Sequence, residues 1–133
     1  MSACEHTYVT SDGHAYARFR RALDNGNFPA ALASAAELPH VGLVEALELL
    51  LLIRDNEPAK FGRTALRWHG RYCREVPDVD FDEAQAVLAG LGALRGPRAK
   101  AAARALAELL YRRGMEGACQ ALLAWADPSA SRS

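Results

Sequence analysis

Between Arg63 and Glu75 the chain reads RTALRWHGRYCRE, four arginines together with a tryptophan, a tyrosine, a histidine and a cysteine. Three chemistries could use such a set. Guanidinium forks grip carboxylates and phosphates in a bidentate manner. Aromatic rings inside a basic groove stack nucleic-acid bases. His69 and Cys73, one helical turn apart, could share a metal ion.

Spacing separates these possibilities. At about 100° per residue, Phe61, Ala65, Trp68 and Tyr72 fall on one side of a helix, and Gly62, Leu66, His69 and Cys73 widen that side. Lys60, Arg63, Arg67, Arg71 and Arg74 fall together on the other side. The aromatics therefore face away from the cations and read as packing residues, so stacking on bases is disfavoured. Two readings remain for the basic stripe. It is a solvated face neutralised by Glu45, Glu48 and Asp55, or by the acidic run Glu75, Asp78, Asp80, Asp82 and Glu83. Alternatively it is a docking surface. Arg95, Arg98, Lys100 and Arg104 form a second basic stretch, which would adjoin the first if alternate helices lined one wall.

The remaining candidates are poorer. A structural zinc site needs four ligands, and only Cys119 or the Cys4-Glu5-His6 cluster could add to His69 and Cys73, so both apolar-face cysteines are expected to be metal-free. DVDFDE, from Asp78, resembles the start of a calcium loop, but Glu83 stands where glycine is required and Ala89 where the closing glutamate belongs. The acids suit the N-terminus of a helix better. His14 with Arg18 and Arg21 imitates a phosphate site. With no glycine-rich phosphate loop, HExxH or GxSxG, no catalytic residue is nominated and no cofactor is expected.

The elements that must position these residues are helices. Leu, Ala, Arg and Glu dominate the 133 residues while Val, Ile and Thr are sparse, a bias against sheet. Helices are predicted at about 13–25 (capped by Asp12), 28–38, 43–55, 58–76, 81–94, 97–113 and 115–127. Gly26, Pro39, Pro77 and Gly114 punctuate them. The predicted inward faces are Ala15, Phe19, Ala22 and Leu23 in the first; Phe28, Leu32, Ala35 and Ala36 in the second; Ala84, Val87, Leu88, Leu91 and Leu94 in the fifth; and Ala118, Cys119, Leu122, Leu123 and Ala126 in the seventh. The third helix, apolar on most sides, should be the most buried. Gly42 with Glu45, and Asp80 with Glu83, have capping-box spacing. The expectation is all-α: about seven helices as antiparallel αα-hairpins, in a short right-handed solenoid or a compact bundle. Residues 12–127 would form one domain, between a flexible segment 1–11 and a flexible tail 128–133.

NGNFPAALASA resembles the turn and second helix of a tetratricopeptide-like hairpin. ALDNGNFPAALASA, IRDNEPAKFGRTAL and ALRGPRAKAAARAL echo one another at about the period of such hairpins. The resemblance implies an architecture, a stack of hairpins, and no ligand residues. The chain as a whole also looks like small Ala/Leu/Arg-rich helical proteins of high-GC bacteria.

Formal net charge is zero, so no whole-protein field attracts nucleic acid or acidic lipid. EALELLLLIRD holds an apolar run far shorter than the ~20 residues of a membrane span, and MSACEHTYVT lacks signal-peptide character. Three scattered cysteines fit a reducing, cytoplasmic setting. The expected function is a non-enzymatic adaptor or scaffold that docks a protein partner with an acidic surface on Lys60, Arg63, Arg67, Arg71 and Arg74, supported by Arg98, Lys100 and Arg104. The alternative is a nucleic-acid-binding accessory protein using the same arginines on phosphates. No membrane partner is expected, and the sequence leaves the oligomeric state open.

Overall fold

The computed structural model describes the backbone of residues 2–131 and the side chains of residues 13–129. Among the described residues eight helices follow one another: α1 (Ser2–Asp24), α2 (Phe28–Glu37), α3 (Leu43–Asn56), α4 (Pro58–Glu75), α5 (Phe81–Ala93), α6 (Ala99–Arg112), α7 (Glu116–Ala126) and the short α8 (Pro128–Ser131). No strand occurs among the described residues, and no helix there is long and apolar enough to cross a membrane. The fold is all-α.

Local chemistry explains most boundaries. Gly26 and Gly114 adopt φ of 65° and 79°, the left-handed turn that releases α1 and α6. Asn27 caps α2, its Oδ1 accepting from the Ala30 N–H at 3.2 Å, and Pro58 opens α4. Asp80 caps α5 by accepting from the Glu83 N–H at 2.8 Å. The return half of that capping box is missing, because the Glu83 carboxylate is drawn to Tyr72 and Arg113 instead. Gly42 precedes α3 without any side-chain cap. α1 reaches back to Ser2, so Asp12 lies inside the helix rather than at its start. α6 begins at Ala99, just after Pro97.

Helices adjacent in sequence pack on each other from α1 to α7, as in successive hairpins. Repeats of an open solenoid touch only their neighbours, whereas here α3 also packs on α7. That contact closes α3–α7 into a compact bundle. Gly117 permits the approach, since a Cβ there would stand only 3.0 Å from Val44 Cγ1. α3 packs on α1, α2, α4 and α7, which is why it is apolar on most sides.

The main core joins Leu47, Leu50 and Leu51 of α3 to Phe61, Trp68 and Tyr72 of α4, Leu91 of α5, Leu106 and Leu110 of α6 and Leu122 of α7. A smaller core of Phe19, Ala22, Leu23 and Ala31 fills the α1–α2 hairpin, and Leu49 and Leu52 touch both cores. Arg20 fastens the hairpin to α3, donating to both Glu48 carboxylate oxygens at 2.8 and 2.5 Å, with Asp24 as a third acceptor position. Tyr16 donates to Glu45 at 3.1 Å.

Three inward faces differ from expectation. α2 buries Phe28, Ala31 and Ser34 and exposes Leu32 and Ala36, because α1 approaches along its smallest side chains. Leu88 of α5 and Leu123 of α7 are exposed, while Val87, Leu91 and Leu94, and Ala118, Leu122 and Ala126, are buried. Cys119 is half-buried at the edge of the main core.

Candidate functional site

α4 divides its side chains as its spacing demands except at Leu66, which was expected on the packed side and is 60% exposed. Phe61, Ala65, Trp68 and Tyr72 are buried. Trp68 is 3% exposed and donates its indole N–H to the Leu43 carbonyl at 2.8 Å. Its ring stacks on Tyr72 with centroids 5.5 Å apart. Neither aromatic is open to a nucleic-acid base.

Tyr72 and Arg113 converge on one carboxylate. The Tyr72 hydroxyl donates to Glu83 Oε2 at 2.7 Å and Arg113 Nε donates to the same oxygen at 2.8 Å. Arg113 also donates to the Pro77 carbonyl. Burial, and then the Glu83 hydrogen bond, raise the Tyr72 pKa well above the ordinary phenol range. This cluster clasps α4, α5 and the end of α6.

The cations of α4 face solvent. Lys60 pairs with Glu57 at 3.1 Å and Arg71 with Glu75 at 2.7 Å, both within one turn of the same helix. The Arg71 hydrogen bond holds the Glu75 carboxyl below its ordinary pKa. Arg63, Arg67 and Arg74 are exposed and make no ion pair or side-chain hydrogen bond with any described residue. Of the acids expected to neutralise the stripe, Glu75 does so at Arg71, while Glu45, Glu48, Asp55, Asp80 and Glu83 are engaged elsewhere. Glu45 and Glu48 bind Tyr16 and Arg20 of α1. Asp55 accepts from Trp125 and Arg54. Asp80 caps α5, and Glu83 holds Tyr72 and Arg113.

Two hollows flank this face. Ala59, Lys60, Arg63, Thr64 and Arg67 line a basic one of about 460 Å³. Val41, Ala46, Leu49, Ile53 and Trp68 make the apolar part of a second, about 230 Å³, whose α4 edge is Thr64, Arg67 and Arg71. Thr64 and Arg67 belong to both. The Thr64 hydroxyl is turned back onto the Lys60 carbonyl at 2.9 Å.

Of the second basic stretch only Arg95 reaches α4, beside Gly62 and Phe61; Arg98, Lys100 and Arg104 do not extend the first. α5 lies between α4 and α6, packing on each, and the backbones of α4 and α6 do not approach one another. Arg98 and Lys100 instead line a cleft of about 660 Å³ at the start of α6 with Arg54, Asp55 and Trp125. Arg104 is exposed along α6. The Arg54 guanidinium lies 5.1 Å from the Trp125 ring centroid, its Nε donating to the Leu94 carbonyl at 2.9 Å. No local sequence pattern marks this arrangement, since Trp125 and its acceptor Asp55 are 70 positions apart. The apolar hollow escaped the sequence for the same reason, being assembled from α3, α4 and the segment before α3.

The other candidates resolve locally. His69 Nε2 donates to the Ala84 carbonyl at 2.7 Å, with Cys73 Sγ 3.8 Å from the same nitrogen. Among the described residues no three of His, Cys, Asp and Glu converge as a metal site. Cys4, Glu5 and His6 lie outside the residues whose side chains are described. Arg18, beside His14, is paired with Glu37 at 2.5 Å, which leaves less of a phosphate site than the sequence suggests. Compared with protein-family models, curated proteins and solved structures, the chain matches none.

Proposed function

We propose that the chain is a protein-interaction module that docks an acidic surface of a partner protein on the exposed face of α4, in the reducing cytoplasm its cysteines suit. One observation carries this reading: Arg63, Arg67 and Arg74 form no ion pair with a described residue, while Glu75 is taken by Arg71 and Glu45, Glu48, Asp55 and Glu83 are committed to α1, Trp125, Tyr72 and Arg113. Unpaired guanidinium groups on a rigid helix are pre-organised for carboxylates. The same groups suit phosphates, but buried Trp68 and Tyr72 supply no stacking platform beside them. Arg98, Lys100 and Arg104 sit apart and form at most a second contact. The test is capture from the native cell by wild type and by the Arg63→Ala/Arg67→Ala/Arg74→Ala variant, with half of each sample treated with nuclease. The expected result is a protein partner that survives nuclease and is lost with the triple substitution. Equal capture by both proteins would remove α4 as the docking face. Capture that disappears with nuclease would transfer the arginines to a nucleic acid.

A further inference from the structure

The basic and apolar hollows share the wall made by Thr64 and Arg67. Their α4 linings are offset by about one helical turn, roughly 6 Å. The apolar one, about 230 Å³, is smaller than the ~300–1,000 Å³ typical of small-molecule sites. It is open along the groove between α3 and α4 and has room for side chains rather than a whole metabolite. Its floor is Ala46, Leu49 and Ile53, spaced to lie along one face of α3, and Arg67 and Arg71 rise at its α4 edge. An apolar floor with a cationic rim complements a helix that is apolar on one face and acidic beside it. On such a helix, residues one turn apart lie on the same face, separated by that same distance.

We infer that the docked partner segment is a short acidic amphipathic helix that seats one bulky apolar side chain in the α3–α4 hollow and sets a carboxylate one turn away on Arg63 and Arg67. This deepens the function proposed above and rests on it. Charge brings the segment to α4; the hollow selects among acidic segments by their apolar anchor.

The probe is a labelled, alanine-based helical peptide carrying one central leucine with glutamates one turn to either side. It is titrated against the full chain by fluorescence polarisation and followed through the two tryptophan indole N–H resonances. Trp68 lines the hollow and Trp125 lies in the separate cleft at α6. The expected result is binding that shifts the Trp68 signal and leaves that of Trp125 in place. Replacing the leucine by alanine should weaken it about tenfold or more, the worth of burying such a side chain. Glu→Gln in the peptide, Arg63→Ala/Arg67→Ala in the protein, and Ala46→Phe, which fills the hollow, should each weaken it comparably. The leucine replacement leaves the protein untouched, so the result stands even if Ala46→Phe fails to fold. Binding that needs the glutamates and arginines but ignores the leucine would overturn the anchor and leave the charge-based reading standing. Binding indifferent to the arginines would overturn both. Failure of the peptide to bind, or its displacement by a short DNA duplex with a steep salt dependence, would overturn the inference.

Discussion

Trp68 fills the space between α3 and α4, and its indole N–H satisfies a carbonyl that begins α3. Trp68→Ala should therefore cost about 3–5 kcal/mol, read as a lower urea midpoint; an unchanged midpoint would contradict its burial. Tyr72 adds a dependence on pH. Its folded pKa is raised, so the unfolded chain releases this proton near pH ~10 while the folded chain retains it. Above that point the unfolded state binds fewer protons, and the unfolding free energy falls as pH rises. This contribution is fully present below about pH 10. Urea midpoints measured from about pH 8 to about pH 11 should drop more steeply for wild type than for Tyr72→Phe. Parallel profiles would show that Tyr72 ionises alike in both states. Trp68 and the buried side of Tyr72 were legible from spacing alone, because the aromatic residues of α4 all point one way. The convergence of Tyr72 and Arg113 on Glu83 was not, since those residues come from three helices and no local pattern couples them.

Among the elements, α4 carries charge that the fold does not use. Exposed ion pairs contribute about 0–1 kcal/mol, and three of its arginines have no pair to lose. Arg63→Ala, Arg67→Ala and Arg74→Ala together should leave the thermal midpoint near wild type, or raise it slightly by relieving like-charge repulsion. A clear loss of stability would mean that these side chains brace α4 against its neighbours. The contrast is Asp80, whose carboxylate caps α5. Asp80→Ala should cost about 1 kcal/mol, measured in the same unfolding experiment, and no loss would show that α5 holds its first turn without the cap. The existence of α1 to α7 was legible from glycine, proline and capping residues, whereas the four-residue α8 falls in the segment expected to be a flexible tail. The rotation of α2 was not: its alanines and serine offer no contrast of size or polarity, so only the approach of α1 decides which side is inward. The neutralisation of the α4 stripe was legible at Glu75, which pairs with Arg71, and misjudged at α3 for a related reason. Glu45 and Glu48 have the right position in sequence, yet α1 covers their side of α3 and Arg20 and Tyr16 reach them there.

At the scale of the whole molecule, the fold is a bundle with a hairpin fastened to it. The α1–α2 core is small and meets the main core through Leu49 and Leu52. Regions with fewer buried apolar contacts open at lower free energy. Hydrogen exchange should show earlier loss of protection across Ala15–Glu37 than across α3, α4 and α6, and uniform protection would make the molecule one cooperative unit. The junction of α3 with α7 has a kinetic side as well. Every other pair of packed helices within the bundle is joined by a short turn, whereas α3 must find α7 across three intervening helices. Closing that long loop carries the largest entropic cost of the bundle's contacts, and the expected order is that the local hairpins form first and the ring closes after the rate-limiting barrier. Val44, set against Gly117 at this junction, tests the order of events. Val44→Ala should lose about 1 kcal/mol, and that loss should appear mainly as faster unfolding, with the refolding limb of the chevron nearly unchanged. If refolding slows in proportion instead, the ring closes first and the hairpins consolidate around it.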